Sequence, residues 1–472
     1  MIRKITGIFM LCLSTAMSFG QKKDAGVTIT IQQSTVKADS MWVLDPAKKD
    51  TYFAKPNAKG QFVLRFNGKF PADLRMGIDN PKKWQISFYA EPGDGVKIET
   101  DFGKTAKFSG KGAGKAEVMY QEAKANEIAF EKLDWKNVTA NELLQMFTKL
   151  GQQAITNLKS SKAKVSPTFY KEQSMALIYK KLGAELTVPL FCKGYLGRKL
   201  SASIPDDYWG LDKDIPMDDQ LLDNKAYLQF MAYSYPVFLR YKELFNKGTI
   251  DTPISREEGA KLDYRLVEKA YKGRVRSEAL AAILKAGFNT AKDVEVFKPL
   301  MEEYLAKYAT PKNAKEVETA YSNLGKTSVG KTPPYFILKD QQGKDVTLKD
   351  FAGKVIYMDF WASWCSPCRY EMKNGSPKLH AKFKENTDVV FLYVSIDDRA
   401  DLWKKAIAED HVEGVHVLSA GGFKSPVGRA FNIDGVPQYI IIGKDGKIFD
   451  NNAPRPSQDI TQSKINEALS AK

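Results

Sequence analysis

The chain has 472 residues, of which 43% are hydrophobic and 27% charged, and its formal net charge is +15. This length exceeds what one ordinary hydrophobic core organises, so two to four domains are expected. The basic residues are spread along the whole sequence without a block of like charge. No nucleic-acid-binding motif accompanies them, so we interpret the charge as a solvated basic surface and expect no nucleic-acid partner.

The first twenty residues have the form of a secretory signal peptide. Residues 1–4 carry Arg and Lys, residues 5–13 are apolar but too short to span a bilayer, and residues 18–20 offer small side chains for cleavage before Gln21. The sequence therefore predicts that residues 1–20 are removed. It also predicts that the mature protein is soluble in the periplasm or cell envelope.

Residues 21–111 predict a β-rich domain. Short runs with alternating apolar residues are separated by turn-forming residues such as Asn67-Gly68. The predicted strands are 27–31, 61–66, 84–89 and 96–100. Their regular spacing indicates an antiparallel β-sandwich-like or barrel-like fold.

Residues 112–325 change to a helical period of apolar residues. The predicted helices are 116–135, 140–158, 167–182, 219–245, 255–271, 277–286, 290–308 and 311–324. Residues 188–216 are rich in Gly and Pro and are predicted to be irregular. Residues 325–334 read as a linker, although they formally match a phosphate-binding loop. A helix precedes that pattern where a strand is required, and Pro333-Pro334 prevents the helix that should follow.

Residues 326–472 alternate between strand and helix patterns. The predicted strands are 335–339, 355–360, 389–396, 415–418, 439–442 and 447–449. The predicted helices are 365–386, 400–409, 426–431 and 460–471. This order predicts an α/β domain with a parallel or mixed sheet covered on both faces. The chain is therefore expected to be multidomain, with a β-sandwich-like start, an α-helical middle and an α/β end.

Cysteine usage indicates a redox protein. Cys12 lies in the predicted signal peptide, which leaves Cys192, Cys365 and Cys368 in the mature chain. Three cysteines are too few for a disulfide scaffold in an exported protein of this size. We interpret Cys192 as a buried, inert thiol, and the alternative is a redox partner for Cys365.

Cys365 and Cys368 follow an apolar strand directly and begin a predicted helix. Unpaired backbone N–H groups and the helix dipole at this position favour the thiolate, which is the reactive form. A zinc site would need two further ligands, and His380 has no second histidine at a suitable spacing. Covalent haem would need histidine where Arg369 stands.

A structural disulfide can also use the Cys-x-x-Cys spacing. Trp364 and Pro367 at a junction between strand and helix instead favour a redox dithiol. We expect neither a metal nor a cofactor.

The run from Asp359 to Cys368, Asp-Phe-Trp-Ala-Ser-Trp-Cys-Ser-Pro-Cys, resembles the active site of the thioredoxin superfamily. Residues 330–472 are similar to the exported TlpA/ResA-like thiol-disulfide oxidoreductases. Gly435-Val436-Pro437 resembles that family's cis-proline loop, and Gly443-Lys-Asp-Gly446 resembles its last hairpin. The resemblance implies a thioredoxin-like fold for residues 326–472.

The N-terminal region shows a second resemblance. The segments 88–95 and 108–112 are similar to a β-rich domain of unknown function that precedes thioredoxin domains in exported proteins of Bacteroidetes-type bacteria. This resemblance implies no chemistry for the region.

The resemblance to the oxidoreductases implies roles for individual residues. Cys365 would attack a substrate disulfide and Cys368 would resolve the mixed disulfide. Asp359 would be the buried acid that handles the proton of Cys368, and Glu371 matches a second acid of the ResA-like branch. The family often has proline two residues after that acid, where Lys373 stands here.

Three further residues are expected at the substrate site. Pro437 would form a cis peptide bond and lie against the dithiol. The backbone of Val436 would pair with an extended substrate peptide. Trp364 would form part of the rim of the site.

The sequence therefore predicts an extracytoplasmic thiol-disulfide oxidoreductase, with reduction of protein disulfides favoured over oxidation. Its partners would be disulfide-containing proteins and a membrane thiol donor of electrons. The alternative is a peptide- or protein-binding module in which the dithiol is only regulatory. A thiol peroxidase is disfavoured because Cys, not Thr, occupies the first position of the motif.

Overall fold

The computed structural model describes residues 26–471 except 46–49, 68–69, 79–83, 104 and 195. The predicted signal peptide and Cys12 lie outside the described residues. No helix in the described part of the chain is long and apolar enough to cross a membrane. Contacts within the chain define two compact units. The first runs to residue 131 and includes 156–171, and the second comprises 132–155 and everything from 172 onward.

The first unit contains two four-stranded sheets, with strand orders β4-β1-β7-β8 and β3-β2-β5-β6. The described strands and the helix that follows them are β1 Val27–Gln33, β2 Met41–Asp45, β3 Asp50–Ala54, β4 Gln61–Phe66, β5 Ala72–Ile78, β6 Trp84–Ala90, β7 Gly95–Thr100, β8 Ala106–Lys111 and α1 Ala113–Glu131. The four predicted strands are confirmed as β1, β4, β6 and β7. The antiparallel expectation is wrong for one pair, because β1 runs parallel to β7.

Side chains of both sheets join a single hydrophobic cluster. Alternate residues of β1, among them Ile29, are buried in it with Ile98 of β7, and the other sheet contributes Val43 and Met76. Strand β5 also carries Gly77, where a Cβ atom would lie only 2.6 Å from the Trp42 ring. A glycine in a strand weakens the sequence signal for β structure but permits this close approach, which explains why β5 was not predicted.

The helical region consists of successive helices, and a longer stretch separates α4 from α5. Its helices are α2 Ala140–Ser160, α3 Pro167–Leu186, α4 Val188–Gly194, α5 Lys225–Gln229, α6 Tyr235–Asn246, α7 Arg256–Ala270, α8 Gly273–Thr290, α9 Lys298–Lys307 and α10 Pro311–Gly325. Local sequence signals determine where several of these helices begin. Ser255 and Glu258 form a capping box at α7, and Thr310 caps α10 directly before Pro311.

The C-terminal domain has one seven-stranded mixed sheet in the order β10-β9-β13-β12-β11-β14-β15. Its elements are β9 Leu338–Asp340, β10 Asp345–Val346, β11 Val355–Trp361, α11 Ser366–Asn374, α12 Ser376–Lys382, β12 Val389–Ser395, α13 Ala400–Asp410, β13 Val415–Leu418, α14 Pro426–Ala430, β14 Gln438–Ile442, β15 Ile448–Asp450 and α15 Ile460–Ser470. Strand β11 lies near the centre, parallel to β12 and antiparallel to β14, and all of its residues are buried. The predicted α/β domain with a mixed sheet is confirmed.

The single helix predicted over residues 365–386 is wrong. The chain breaks at Gly375 into α11 and α12, with Pro377 in the first turn of α12. Proline removes a helical hydrogen bond and disfavours helical geometry at the preceding residue, so the helix breaks just before Pro377. The shorter α11 extends only from the dithiol to Asn374.

The segment between α10 and β9 is hydrogen-bonded on two sides. The amide of Val329 donates to the carbonyl of Lys292 at 2.9 Å, and the amide of Gly330 donates to Ile448 at 2.8 Å. In return, the amide of Ile448 donates to the carbonyl of Lys331 at 2.9 Å. This segment therefore attaches the helical region to the edge of the C-terminal sheet.

Candidate active site

Strand β11 leads directly to Cys365 at the start of α11. Cys365 is the N-cap residue, and its Sγ accepts a hydrogen bond from the amide of Cys368 at 3.2 Å. The two cysteines form a disulfide with Cα atoms 5.3 Å apart. Cys365 is 5% exposed while Cys368 is completely buried. Of the two cysteines, Cys365 is therefore the one nearer to solvent.

Trp364 lies beside this sulfur at the surface. Its side chain is 38% exposed, and its ring meets that of Phe423 edge to face at 6.0 Å between centroids. An exposed aromatic ring next to the accessible cysteine offers an apolar contact to a bound polypeptide.

A buried carboxylate fixes the loop before Cys365. Asp397 accepts hydrogen bonds from the amide and the hydroxyl of Ser363, at 2.8 and 2.7 Å, and from the hydroxyl of Ser395 at 2.8 Å. Burial raises the pKa of Asp397, and these hydrogen bonds oppose that rise. Sequence reasoning missed this contact. The available signal was that Ser395 ends a strand parallel to β11 and that Asp397 follows two residues later. The ends of these parallel strands meet at the sheet edge where Ser363 lies.

Asp359 lies in the middle of β11 and is completely buried. Neither of its carboxylate oxygens has a hydrogen-bond partner within the described part of the chain. Burial in a low-dielectric interior raises the pKa of Asp359 well above its ordinary value, and the nearby Glu371 raises it further. Such a group holds a proton far more readily than an exposed aspartate.

The alternation of β11 places Asp359 on the face that carries α11. Trp361 is two residues further along the same face and packs in one cluster with Cys365, Cys368 and Met372. Asp359 therefore lies beneath the helix that begins at the dithiol. The expectation that it is a buried acid agrees with this position.

Aromatic side chains surround this acid on the neighbouring strands. Tyr393 of β12 and Tyr439 of β14 are its register partners. The hydroxyl of Tyr393 lies 2.9 Å from Nε2 of His380, and its ring stacks on His416 at 4.7 Å. Burial lowers the pKa of His380 to about 4. His380 is thus a neutral partner of Tyr393 near neutral pH.

Glu371, three residues after Cys368 in α11, is also buried. Its carboxylate accepts hydrogen bonds from the amide and the hydroxyl of Ser457, at 3.0 and 2.9 Å. A Cβ atom on Gly375 would lie 2.6 Å from Oε2 of Glu371, so glycine makes room for this contact. Glu371 therefore joins α11 to the loop after β15 and acts on Asp359 through its charge.

Arg369 stabilises the other side of α11. Its guanidinium forms an ion pair with the buried Asp410 of α13 and also reaches Glu409 at 3.0 Å. A further hydrogen bond of 3.3 Å runs to the carbonyl of Ser363. The residue that excludes covalent haem thus fixes α11 to α13 and to the loop before Cys365.

The loop before β14 reaches the dithiol from the opposite side. The peptide bond between Val436 and Pro437 is cis. The side chain of Val436 packs against the cluster that contains Cys365 and Cys368. Among the described residues, the backbone N–H and carbonyl of Val436 have no hydrogen-bond partner. The loop can therefore offer one backbone donor and one acceptor beside the disulfide.

Cys192 lies apart from this arrangement, in α4 of the helical region. It is buried and forms no disulfide with another described cysteine, and burial raises the pKa of its thiol. A thiol with a raised pKa forms little thiolate. Among the described residues, no group of three or more His, Cys, Asp or Glu side chains has an arrangement that could hold a metal ion.

Comparison with known proteins agrees with this geometry. Residues 328–469 match the Redoxin family model. The thiol-disulfide oxidoreductase ResA of Bacillus cereus is 30% identical over 129 residues, which cover 27% of this chain and 72% of the relative. The ResA of Geobacillus thermodenitrificans is 43% identical over 134 residues, covering 28% of this chain and 74% of the relative.

Two solved structures are also similar to part of this chain. The thioredoxin domain of a thiol-disulfide oxidoreductase from Bacteroides vulgatus is 31% identical, with 30% of this chain and 96% of that chain covered and a TM-score of 0.27. A thiol-disulfide oxidoreductase from Bacteroides fragilis is 27% identical, with 29% and 100% covered and a TM-score of 0.27.

The C-terminal domain is a thioredoxin-superfamily domain. Through it, the chain belongs to the ResA/TlpA-like thiol-disulfide oxidoreductases.

Proposed function

We propose that this chain is an extracytoplasmic thiol-disulfide oxidoreductase that reduces disulfides in proteins. One observation carries the proposal. The Cys365–Cys368 disulfide lies at the start of α11, and the fully buried Asp359 lies on the sheet face below that helix. Its carboxylate has no hydrogen-bond partner among the described residues. A dithiol can carry out disulfide exchange, and an acid with a raised pKa can exchange a proton with the resolving thiol.

The reaction begins with the reduced enzyme. The thiolate of Cys365 attacks one sulfur of a substrate disulfide, so that a Cys365–substrate bond forms and the substrate S–S bond breaks. The first substrate sulfur leaves as a thiolate and takes a proton. The thiol of Cys368 then loses its proton and attacks Sγ of Cys365. The mixed disulfide breaks, and the second substrate sulfur leaves as a thiolate and takes a proton. The Cys365–Cys368 disulfide forms, and two electrons have passed to the substrate.

The positions of the two sulfurs match these steps. Cys365 is nearer to solvent, so it makes the external attack, and the buried Cys368 acts on Cys365. Asp359 would exchange a proton with Cys368, because burial raises the pKa of this carboxyl well above its ordinary value. Glu371 would keep the proton affinity of Asp359 high through its charge.

Location and direction complete the proposal. The composition of residues 1–20 supports export to the periplasm or cell envelope. A reductase there must receive two electrons per cycle, so we infer a membrane thiol donor as its electron source. We also propose that residues 21–111 and 112–325 select or position substrates for the domain 326–472.

The test uses the chain from Gln21 onward, with dithiothreitol as the reductant and insulin as the substrate. We expect catalysed reduction by the wild type and none by Cys365→Ser. The Cys368→Ala variant should accumulate mixed disulfides on Cys365. Cys192→Ala is the matched control, because it removes the remaining buried thiol and should retain activity. The proposal would be overturned if the wild type did not reduce insulin and the Cys368→Ala variant accumulated no mixed disulfide.

Two further measurements separate the remaining alternatives. Equilibration with thiol buffers gives the reduction potential. A value near about −270 mV, as in thioredoxin, supports a reductase, and one near about −120 mV indicates an oxidase. Protein partners that bind equally well after both Cys365→Ser and Cys368→Ser would instead support a binding module with a regulatory dithiol.

A further inference from the structure

A cavity of about 900 Å³ lies between the helical region and the C-terminal domain, within the second compact unit. Its walls are the end of α8, the end of α10, the loop before β14 and the loop after β15. This volume falls in the range of ligand-binding pockets. We refer to it as the interdomain groove.

Hydrogen bonds on both sides hold the walls of the groove in place. The side-chain amide of Asn432 donates to the carbonyl of Asn323 at 2.9 Å. The side-chain amide of Asn451 donates to the carbonyl of Lys292 at 3.3 Å. These hydrogen bonds connect the helical region, which forms one wall of the groove, with the C-terminal domain.

The groove adjoins the dithiol through the loop before β14. Val436 and Pro437 line it, and Val436 also packs against the cluster that contains Cys365. A polypeptide whose disulfide reached Cys365 could pair with the backbone of Val436 and continue into the groove. The side-chain amides of Asn289, Gln438 and Asn452 line the groove. They can form hydrogen bonds with the backbone of an extended peptide.

The side chains that line the groove carry more positive than negative charge. Arg256 at the start of α7 and Arg455 in the loop after β15 both line it. Neither guanidinium has an ion-pair or side-chain hydrogen-bond partner among the described residues. Lys464 is offset by Glu467, with 2.5 Å between nitrogen and oxygen. Asp434 is the acidic side chain of the lining. Two unpaired arginines thus outweigh one exposed aspartate.

We propose that the interdomain groove binds an acidic polypeptide segment next to the disulfide that Cys365 reduces. Arg256 comes from the helical region and Arg455 from the C-terminal domain, so both parts of the chain recognise the substrate. Arginine pairs well with carboxylates, because its planar donor fork matches their geometry. This inference rests on the proposed function and names its substrate class.

The test compares two synthetic peptides of equal length, each with one internal disulfide. Glutamates flank the disulfide in one peptide and lysines in the other. The kcat/KM for each is measured with the chain from Gln21 and dithiothreitol. We expect the wild type to prefer the acidic peptide, and the preference should fall as added salt screens the charges.

Charge reversal identifies the residues. Arg256→Glu and Arg455→Glu should each lower the acidic-to-basic ratio by about three- to tenfold, the scale of one lost exposed ion pair and a new repulsion. The ratio is measured on one preparation, so a loss of folded protein cancels. Arg274→Glu is the matched control. Arg274 lies near the start of α8, roughly 24 Å along the helix from the groove residue Thr290, and should leave the ratio unchanged.

The outcomes separate the two proposals. If the wild type reduces insulin but shows no preference, or if neither charge reversal lowers the ratio below that of Arg274→Glu, the groove inference is overturned and the oxidoreductase proposal stands. If the wild type reduces neither peptide nor insulin, the proposed function itself fails. A lowered ratio in both reversal variants supports the groove as the site of acidic substrates.

Discussion

Replacing Asp359 by asparagine should make the stability of the C-terminal domain less sensitive to pH. The side chain is fully buried between Tyr393 and Tyr439, and neither carboxylate oxygen has a hydrogen-bond partner among the described residues. Burial, with a smaller effect of Glu371, raises the pKa of Asp359 well above its ordinary value. The Asp359→Asn variant keeps nearly the same shape but cannot ionise.

The sign of the effect follows from proton binding. The folded state binds the proton of Asp359 more tightly than the unfolded chain does. The associated stability is fully present below the ordinary carboxyl pKa of about 3.9 and is lost as the pH rises toward the folded-state pKa. Within that window the wild type loses about 1.4 kcal/mol of unfolding free energy per pH unit. The variant lacks this loss, so its stability relative to the wild type should increase with pH.

The assay is denaturant-dependent hydrogen exchange of the β11 amides in the oxidised full chain, between about pH 5 and 8. The difference between variant and wild type cancels the intrinsic pH dependence of exchange. Asp388→Asn is the matched control. Its pKa is lowered by a 2.8 Å contact with Lys444, so it is ionised in both states over this range. A difference for Asp359→Asn that stays constant with pH would refute the assignment of a raised pKa.

Two further substitutions test how the site is supported. Gly375→Ala should destabilise the C-terminal domain by about 1–3 kcal/mol, because the new Cβ would lie 2.6 Å from Oε2 of Glu371. Gly435→Ala is the control, because a Cβ atom at Gly435 has open space. Equal denaturation midpoints for the two variants would contradict the close-packing argument. Asp397→Ala should cost about 1–3 kcal/mol in a urea unfolding experiment, because the buried hydroxyl of Ser395 and the half-buried amide and hydroxyl of Ser363 lose their acceptor. An unchanged midpoint would show that these contacts contribute nothing.

Local sequence patterns were sufficient where one segment contains all the necessary information. The position of Cys365 at a helix start follows from an apolar strand and the Cys-Ser-Pro-Cys run that succeeds it. The helix caps at Ser255 and Thr310 are likewise local. Strands were predicted where apolar residues alternate, as in β1, and missed where glycine interrupts the pattern, as at Gly77 in β5.

Contacts between distant segments could not be predicted in this way. Glu371 had no local sign of burial, and its partner Ser457 is 86 residues away. The carboxylate of Asp397 meets Ser363 only because two parallel strands end at the same sheet edge. The interdomain groove, with Arg256 and Arg455 on its two sides, depends on how the helical region attaches to the C-terminal sheet.

The sequence by itself determined the chemistry of this protein: a dithiol at a helix start, an acid on the strand before it and a proline loop that resembles a substrate site. These features are encoded within short segments, where side-chain period and helix geometry control the outcome. Only the tertiary structure decided which acid is buried without a partner, what holds α11 in place and which charges face an incoming substrate. Burial and charge proximity depend on residues far apart in the chain, and folding alone brings them together.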